Sequence, residues 1–204
     1  MSITFSPDGK TLGLLASRNW QGTLALWDVA RLERLAVLPE HKKVLSNVIS
    51  SPDGSTLVAA ASDGTLLLWD VASHQLLGSP LAGHNEAIEN FAFTPDGSTL
   101  VSVDAAGTVV LWDGISRLPL GTFVLGHSQG VRSIGLSRDT KVMVSSPTWG
   151  DTLILTDLDP ESWAKYACEV VNRNLSRKEW EQVVGTGLEY KPACPQLPVA
   201  EIDP

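Results

Sequence analysis

The sequence has little of what most catalytic and metal sites require. It contains four histidines and two cysteines among 204 residues, and two cysteines are too few for a closed zinc site without histidine ligands. A phosphate-binding loop of the form Gly-x-x-x-x-Gly-Lys-Ser/Thr is missing, as is a dinucleotide-binding glycine pattern after a strand. We therefore expect no cofactor and no bound metal.

Long apolar runs and excess positive charge are also missing. No stretch approaches the roughly 18 apolar residues of a membrane helix, and the first residues lack the pattern of a signal peptide. The net charge is −8, so a basic surface for nucleic acid is not expected. Both cysteines, Cys168 and Cys194, lie late in the chain, which fits a reducing compartment. These absences predict a cytoplasmic protein that contacts neither membrane nor nucleic acid.

What the sequence does contain is a pair of motifs that recurs every 42 to 45 residues. A Ser/Thr-Pro-Asp-Gly turn motif occurs at residues 6–9, 51–54 and 94–97, and a Trp-Asp pair follows each copy at 27–28, 69–70 and 112–113. A fixed period of this length indicates a stack of similar structural units.

The pattern of apolar runs and turns in each repeat predicts four short antiparallel strands. In the second copy, apolar runs at 44–49, 57–61 and 66–70 are separated by the turns 51–54 and 62–65, and a fourth strand is expected to begin with the segment from Gln75 to Gly78. Proline, aspartate and glycine suit the successive positions of such turns. Four short strands per repeat is the pattern of a propeller blade.

With these motifs in register, the chain resembles the WD-repeat β-propeller family over residues 1–158. The resemblance implies a buried hydrogen-bond network of His, Ser or Thr, Asp and Trp in each blade. The matching positions are Trp27; His41, Asp63 and Trp69; His84, Ser102 and Trp112; and His127 with Ser145. Ala59, Ala106 and Thr156 replace the expected hydroxyl, carboxylate and indole, so every blade is expected to lack at least one member.

The predicted fold is an all-β arc of four WD-type blades with a short helical tail. The blades span approximately 1–38, 39–81, 82–124 and 125–158, and the tail spans 159–204 and is expected to pack on the last blade. WD-type rings more often need about seven blades, so we expect an incomplete ring, the C-terminal part of a longer propeller. The alternatives are two copies closing one ring or pairing between exposed edge strands, either of which makes a homodimer.

The tail predicts two helices and an extended finish. One helix begins at Asp159-Pro160 and ends near Asn174, and a second runs from Ser176 to Gly185. The pattern from Trp163 to Cys194-Pro195 resembles the end of large bacterial WD-repeat signalling proteins. Cys168 and Cys194 are open to three readings: an apolar contact, a disulfide, or a metal-binding or reactive role.

Recurrence argues that most polar residues are structural. A catalytic acid is needed once, whereas the turn and Trp-Asp aspartates return in every blade. A triad of His127, Asp151 and Ser128 or Ser133 can be written from the sequence, but no Gly-x-Ser-x-Gly motif supports it. No catalytic residue is assigned.

Positions that differ between blades are the better binding candidates. They are Arg18, Trp20, Lys42, Lys43, Glu86, Glu89, Arg132 and Trp149. Exposed aromatic residues often supply binding energy, although Trp20 and Trp149 could instead pack on their own hairpins. We expect a non-catalytic module that binds a protein or peptide, in a bacterial signalling protein. The alternatives are a propeller with a small-ligand or enzymatic site at its channel, and a fragment that acts only as a dimer or has no function alone.

Overall fold

Four antiparallel β-sheets follow one another along the chain. A computed structural model describes residues 2–18, 21–38, 44–127, 130–170, 174, 176, 192, 194–195 and 197–198. Contacts divide the chain into two units, Met1–Thr156 and Asp157–Pro204. The fold is all-β with a short helix in the second unit, as the sequence predicts, and the four sheets make up an incomplete propeller.

The strands follow the sequence repeat. Blade 1 contains β1 (Ser2–Phe5), β2 (Thr11–Arg18), β3 (Gln21–Asp28) and β4 (Glu33–Val37). Blade 2 contains β5 (Leu45–Ser50), β6 (Thr56–Ala61), β7 (Thr65–Asp70) and β8 (Leu81–Ala82). Blade 3 contains β9 (Ile88–Phe93), β10 (Thr99–Asp104), β11 (Thr108–Asp113) and β12 (Pro119–Val124). Blade 4 contains β13 (Val131–Leu136), β14 (Val142–Pro147) and β15 (Ile154–Asp157).

The outer strand of blade 2 is interrupted. Its predicted beginning, from Gln75 to Gly78, lies against β7: Leu76 forms a bridge with Trp69, and the Leu77 amide donates to the Leu68 carbonyl at 2.8 Å. The paired strand β8 follows, opposite Thr65 and Leu66. Gly78 has positive φ, so the chain turns between these two parts and they do not form one continuous strand.

The turn between the first two strands of each blade is held by its own side chains. In blade 2, the Ser51 hydroxyl donates to Asp53 and accepts a hydrogen bond from the Thr56 amide at 2.9 Å. Blade 4 has Ser137-Arg138-Asp139-Thr140 at this position, without the proline and the glycine. The Ser137 hydroxyl nevertheless donates to Asp139 and accepts a hydrogen bond from the Val142 amide at 2.9 Å. Thr140 takes the glycine position with φ of 61°.

Protonation of these turn aspartates should weaken the fold in acid. The pKa values of Asp8, Asp53, Asp96 and Asp139 are lowered chiefly because a hydroxyl two residues earlier donates to each carboxylate. A lowered pKa in the folded state gives stability that is complete above the unfolded value of about 3.9 and is lost as pH falls through the folded value. Urea unfolding midpoints should therefore change little from these groups at pH 5 to 7 and should fall below about pH 4. A midpoint that rises on acidification to pH 3.5 would contradict this assignment.

The blades pack face to face because strand residues alternate between two apolar sides. One cluster joins blades 1 and 2 through Leu24, Leu26, Val48 and Trp69. A second joins blades 2 and 3 through residues that include Leu66, Leu68, Phe91 and Trp112. Successive side chains of a strand point to opposite faces, so each inner blade is apolar on both sides.

Close backbone contact joins one blade to the loop that leads into the next. Gly64 has φ of 80°, and a Cβ at this position would lie 2.7 Å from the Glu86 carbonyl oxygen and 2.9 Å from that of His84. Gly130 is placed similarly: a Cβ at this position would lie 2.7 Å from the carbonyl oxygen of Ala105. Glycine is required here by its conformation and by the narrow space.

The second unit contains one described helix, α1 (Pro160–Val170). Asp159 accepts a hydrogen bond from the Glu161 amide, so the helix begins where the sequence predicts. Cys168 and Cys194 form a disulfide with a Cα–Cα distance of 5.5 Å, which decides among the three readings of this pair. The predicted second helix lies outside the described residues.

The sequence did not identify Asn174 as the residue that holds the end of the chain. It is buried, and its side-chain amide donates to the Cys194 and Leu197 carbonyl groups at 2.7 and 2.8 Å. Its side-chain oxygen accepts from the Cys194 amide at 2.8 Å. Asn174 and the disulfide therefore both hold the segment at Cys194.

Candidate functional site

A buried polar network occupies the face of blade 3 that packs on blade 2. The Trp112 indole donates to the Ser102 hydroxyl at 2.8 Å, and Ser102 lies 2.7 Å from His84 Nε2. His84 Nδ1 lies 3.1 Å from Asp104 Oδ2. Each of these groups has a hydrogen-bond partner when the Ser102 hydroxyl donates to His84 Nε2 and His84 Nδ1–H donates to Asp104.

Asp104 is also the acceptor that closes the turn after β10. Its second carboxylate oxygen accepts the Ala106 amide at 3.1 Å and the Thr108 amide at 2.8 Å. One buried carboxylate therefore connects the leading histidine of the blade to the turn between its middle strands. Buried networks of this kind stabilise a fold when every member has a partner.

Asp104 corrects the expectation that no blade has the whole set. The sequence comparison placed the missing carboxylate at Ala106, by analogy with Asp63 in blade 2. The structure supplies it from two residues earlier. Ser102 and Asp104 lie two apart on β10 and therefore share a face of the strand, and this spacing was the signal that could have found it.

The Ser102–His84–Asp104 arrangement resembles a catalytic triad but is closed to substrate. Ser102 is 0% exposed and Asp104 is 1% exposed. The Ser102 hydroxyl oxygen also accepts the Trp112 indole proton, which occupies a lone pair that a nucleophile needs. The geometry is that of a structural network, because a triad requires an exposed nucleophile and space for an acyl group.

Blades 1 and 2 lack the hydroxyl and leave their tryptophans unpaired. The indole nitrogens of Trp27 and Trp69 are buried, and neither has a hydrogen-bond partner. Alignment of the turn motifs puts Leu14 and Ala59 at the position of Ser102. Asp63, which the sequence placed in the blade 2 network, is exposed and accepts the Thr65 hydroxyl at 2.7 Å. His41 lies outside the described residues.

Restoring the hydroxyl in blade 2 should stabilise the protein. Ala59→Ser provides an acceptor for the unpaired Trp69 indole, and one satisfied buried hydrogen bond is worth about 1 kcal/mol. We expect a higher free energy of unfolding in urea. The matched control is Ala60→Ser, since Ala60 is equally buried but faces the opposite side of β6. It should destabilise, and equal effects from both substitutions would contradict the assignment.

Blade 4 retains only part of the network. His127 Nε2 lies 2.9 Å from the Ser145 hydroxyl, and Thr156 occupies the position of tryptophan. Because His127 contacts Ser145, the structure gives no support to the triad of His127 with Asp151 and Ser133. Ser128 lies outside the described residues.

Exposed side chains surround the loops at one end of blades 2 to 4. We name this region the turn rim: residues 62–65, 83–89, 105–107, 125–127, 130–132 and 148–153. Its strand-joining turns pack on the loops leading into blades 3 and 4, through Gly64 and Gly130. Of the sequence-predicted binding residues, Glu86, Glu89, Arg132 and Trp149 lie here, and all four are exposed.

Two of these residues occupy β-bulges. Pairing between β9 and β10 skips Glu89, and pairing between β13 and β14 skips Arg132. A bulge aims its extra side chain away from the regular ladder and is over-represented beside functional sites. Neighbouring blades therefore present opposite charges at the same bulge position.

Negative charge predominates among the described residues of the turn rim. Their exposed ionic side chains are the carboxylates of Asp63, Glu86, Glu89 and Asp151 and the guanidinium of Arg132. Trp149, on the same rim, is 75% exposed. A rim that carries an exposed indole and several carboxylates fits a ligand with both an apolar group and positive charge.

The remaining predicted binding residues are not described in full. Arg18 ends β2 and pairs with Gln21 across the hairpin. Trp20, Lys42 and Lys43 lie outside the described residues.

Across the part of the chain that the structure describes, no group of three or more His, Cys, Asp and Glu could hold a metal. No helix in that part is both long and apolar enough to cross a membrane.

An apolar patch on the outer edge of blade 3 was not anticipated from the sequence. Ile115, Leu118, Leu120 and Val124 are all more than half exposed. They lie on or just before β12, the edge strand of its sheet. Only spatial position reveals this patch, because the same apolar pattern in an inner strand would be core.

Comparison with known proteins identifies the repeats. Residues 32–70 and 75–113 match the WD domain, G-beta repeat. Each matched segment runs from the outer strand of one sheet through the third strand of the next, so the sequence repeat and the sheet are offset by one strand.

Similar proteins match only a part of this chain and a smaller part of themselves. Protein SPA1-RELATED 3 of Arabidopsis thaliana is 39% identical over 66 residues, 32% of this chain and 8% of the relative. Small ribosomal subunit protein RACK1y of Oryza sativa subsp. japonica is 29% identical over 75 residues, 37% of this chain and 22% of the relative. Protein Rae1 of Drosophila melanogaster is 30% identical over 80 residues, with the same two shares.

Proposed function

We propose that this chain, which contains WD repeats, is a non-catalytic module that binds a protein or peptide on the turn rim. WD repeats are the building units of protein-interaction scaffolds. The observation that carries the proposal is the exposure of Trp149 on a rim that also exposes several carboxylates. The interior polar residues do not compete with this proposal, since the Ser102–His84–Asp104 arrangement is closed to substrate.

The chemistry of the rim suggests the kind of partner. Four exposed carboxylates against one guanidinium, among the described rim residues, favour a segment that carries lysine or arginine. Trp149 offers an aromatic face on which an apolar side chain or a cation can rest. We therefore propose a basic peptide segment with at least one large apolar residue.

Substitution on the rim should weaken this binding without affecting the fold. The probe is a fluorescent basic peptide selected from a displayed random library on the immobilised chain. Trp149→Ala should raise the dissociation constant at least tenfold, the loss expected for an aromatic anchor. Glu89→Lys should also weaken binding, and the weakening should shrink in high salt.

The matched control for the charge reversal is Glu33→Lys, because Glu33 is an exposed carboxylate on β4, away from the rim. It should bind the peptide as wild type does. Thermal midpoints of all three variants should stay close to wild type, since the side chains are exposed. Selection of acidic peptides, or equal binding by wild type and Trp149→Ala, would reject the proposal.

The kind of protein that contains this module, and its cellular compartment, are separate questions. We propose the bacterial signalling context on the tail pattern from Trp163 to Cys194-Pro195, whereas the relatives named above are plant and insect proteins. The predicted cytoplasmic location also meets an opposing observation. A disulfide between Cys168 and Cys194 is more typical of an oxidising compartment.

A further inference from the structure

The interruption in the outer strand of blade 2 leaves a groove between blades 2 and 3. The paired part of that strand, β8, has two residues, whereas β12 of blade 3 has six. The groove is open to solvent and has a volume of about 450 Å³. Both sheets lie within residues 44–127, all of which the structure describes. The residues that line the groove include Leu77, Pro80, Leu81, Trp112, Arg117 and Pro119.

Arg117 is the one charged residue among those that line the groove. Its side chain is partly buried and donates a single hydrogen bond, from Nη1 to the Leu77 carbonyl oxygen at 3.3 Å. Its Nε is buried without a hydrogen-bond partner, and none of the described carboxylates forms an ion pair with it. A guanidinium has five N–H donors, so this cation keeps donors for a ligand.

The repeat does not require an arginine at this position. Arg117 follows the Trp-Asp pair of blade 3 by four residues, and the equivalent residues of blades 1 and 2 are Leu32 and His74. The three residues have φ of 56°, 61° and 62° in chain order. Three different side chains therefore occupy the same left-handed turn, and the guanidinium belongs to blade 3 alone among these blades.

Arg117 lines two depressions, and charge decides which of them suits an anion. The second depression, of about 300 Å³, is also lined by the carboxylates of Asp53 and Asp96, which repel an anion. The groove has no carboxylate among its lining residues. A carboxylate ligand therefore fits the groove, where the planar guanidinium can bind both of its oxygens.

The apolar patch on β12 continues the groove along the edge of blade 3. Thr122 lies opposite Val110 in the pairing of β12 with β11, and Val110 packs in the cluster shared by blades 2 and 3. Leu120 and Val124 lie on the same side of β12 as Thr122, because strand side chains alternate. They therefore point to the side that bears the groove, yet they are 60% and 69% exposed.

Backbone groups of β12 are also available along this edge. The Leu125 amide donates to the Gly107 carbonyl oxygen, so this pair of residues is hydrogen-bonded. Bonded and non-bonded pairs alternate along an antiparallel ladder, so the amide and carbonyl groups of Thr122 and Val124 point away from β11. β12 is the last strand of its sheet, and an extended segment can add to such an edge as a further strand.

We infer that the groove and the edge of β12 bind an extended acidic segment of a partner protein, with its carboxylate at Arg117 and its apolar side chains on Leu120 and Val124. Backbone hydrogen bonds hold the segment along β12, and alternate side chains contact the apolar patch. The contact with Arg117 sets the register of the added strand. This site is separate from the turn rim, and its ligand carries the opposite charge.

The probe is a fluorescent peptide selected from a displayed library of short random peptides on the immobilised full chain. Peptides that bind Trp149→Ala as tightly as wild type are kept, which excludes ligands of the turn rim. They should carry apolar residues in alternation and an aspartate or glutamate at one end. Arg117→Gln should raise their dissociation constant by about tenfold or more, as for the loss of a hydrogen bond to a charged group.

The matched control is Arg34→Gln, which removes an exposed arginine from the outer strand of blade 1. Its net charge equals that of Arg117→Gln, and it should bind the peptide as wild type does. Circular dichroism checks that both variants fold. Equal binding by wild type and Arg117→Gln, or selected peptides without a carboxylate, would overturn the inference.

Two changes in the peptide test the same contacts without altering the protein. Replacing its acidic residue with the corresponding amide should weaken binding to wild type and cause no further loss on Arg117→Gln, as expected for two groups in contact. N-methylation of one alternate set of peptide amides should abolish binding and methylation of the other set should not, because only alternate amides of an added strand face β12. Additive losses in the first experiment, or equal effects of the two sets in the second, would also overturn the inference. The proposal for the turn rim stands or falls separately, on Trp149→Ala.

Discussion

Replacing His84 with alanine should cost about 3–5 kcal/mol of unfolding free energy, the range for removing one partner of a buried ionic or charge-assisted pair. The substitution leaves the buried Asp104 carboxylate without the histidine proton and the Ser102 hydroxyl without its acceptor. A cavity beside Trp112 adds to the loss. Urea unfolding followed by circular dichroism measures the change.

The control for this substitution is the equivalent histidine of blade 4. His127 contacts Ser145, but Thr156 stands in the place of tryptophan. His127→Ala should therefore cost about 1 kcal/mol, as for one ordinary hydrogen bond. Similar losses of unfolding free energy from the two substitutions would show that the network in blade 3 stabilises the fold no more than the single His127–Ser145 contact does.

Replacing Gly64 with alanine should cost about 3 kcal/mol, although it adds only a single methyl group. Residues with a side chain lose about 1–2 kcal/mol in the left-handed region. The new Cβ would also lie 2.7 Å from the Glu86 carbonyl oxygen, and relieving such overpacking typically costs about 1–3 kcal/mol. The backbone contact between blades 2 and 3 has to open to admit it.

Gly9 separates these two causes. It has φ of 70°, and a Cβ there would meet no atom within 4 Å. Gly9→Ala should therefore show the conformational cost alone, about 1–2 kcal/mol. If Gly64→Ala costs no more than Gly9→Ala in urea unfolding, the close approach between blades 2 and 3 has no energetic consequence.

Local patterns were enough to predict most of the strands. Turn motifs and Trp-Asp pairs recur with the same spacing, and a short turn fixes where its two flanking strands begin and end. The outer strands were harder to place, because they depend on pairing with a neighbour. The segment from Gln75 to Gly78 reads as a strand by composition, but the positive φ of Gly78 interrupts it before the paired strand β8.

The site was predictable only where it follows the repeat. His84, Ser102 and Trp112 could be placed by alignment, whereas Asp104 was missed because its carboxylate was assigned by turn position and not by strand face. The bulges at Glu89 and Arg132 arise from a shift in strand register, which composition does not encode. The contacts of Asn174 and the Cys168–Cys194 disulfide join segments that are distant in sequence.

Hydrogen exchange of the tryptophan indole groups, followed by NMR on the wild-type chain, tests the division between structural and binding residues most directly. Trp112 is 2% exposed and hydrogen-bonded to Ser102, whereas Trp149 is 75% exposed. The Trp112 indole proton should exchange orders of magnitude more slowly than that of Trp149, since buried groups exchange only on opening of the fold. Comparable exchange rates at Trp112 and Trp149 would contradict both the buried network and the exposed rim.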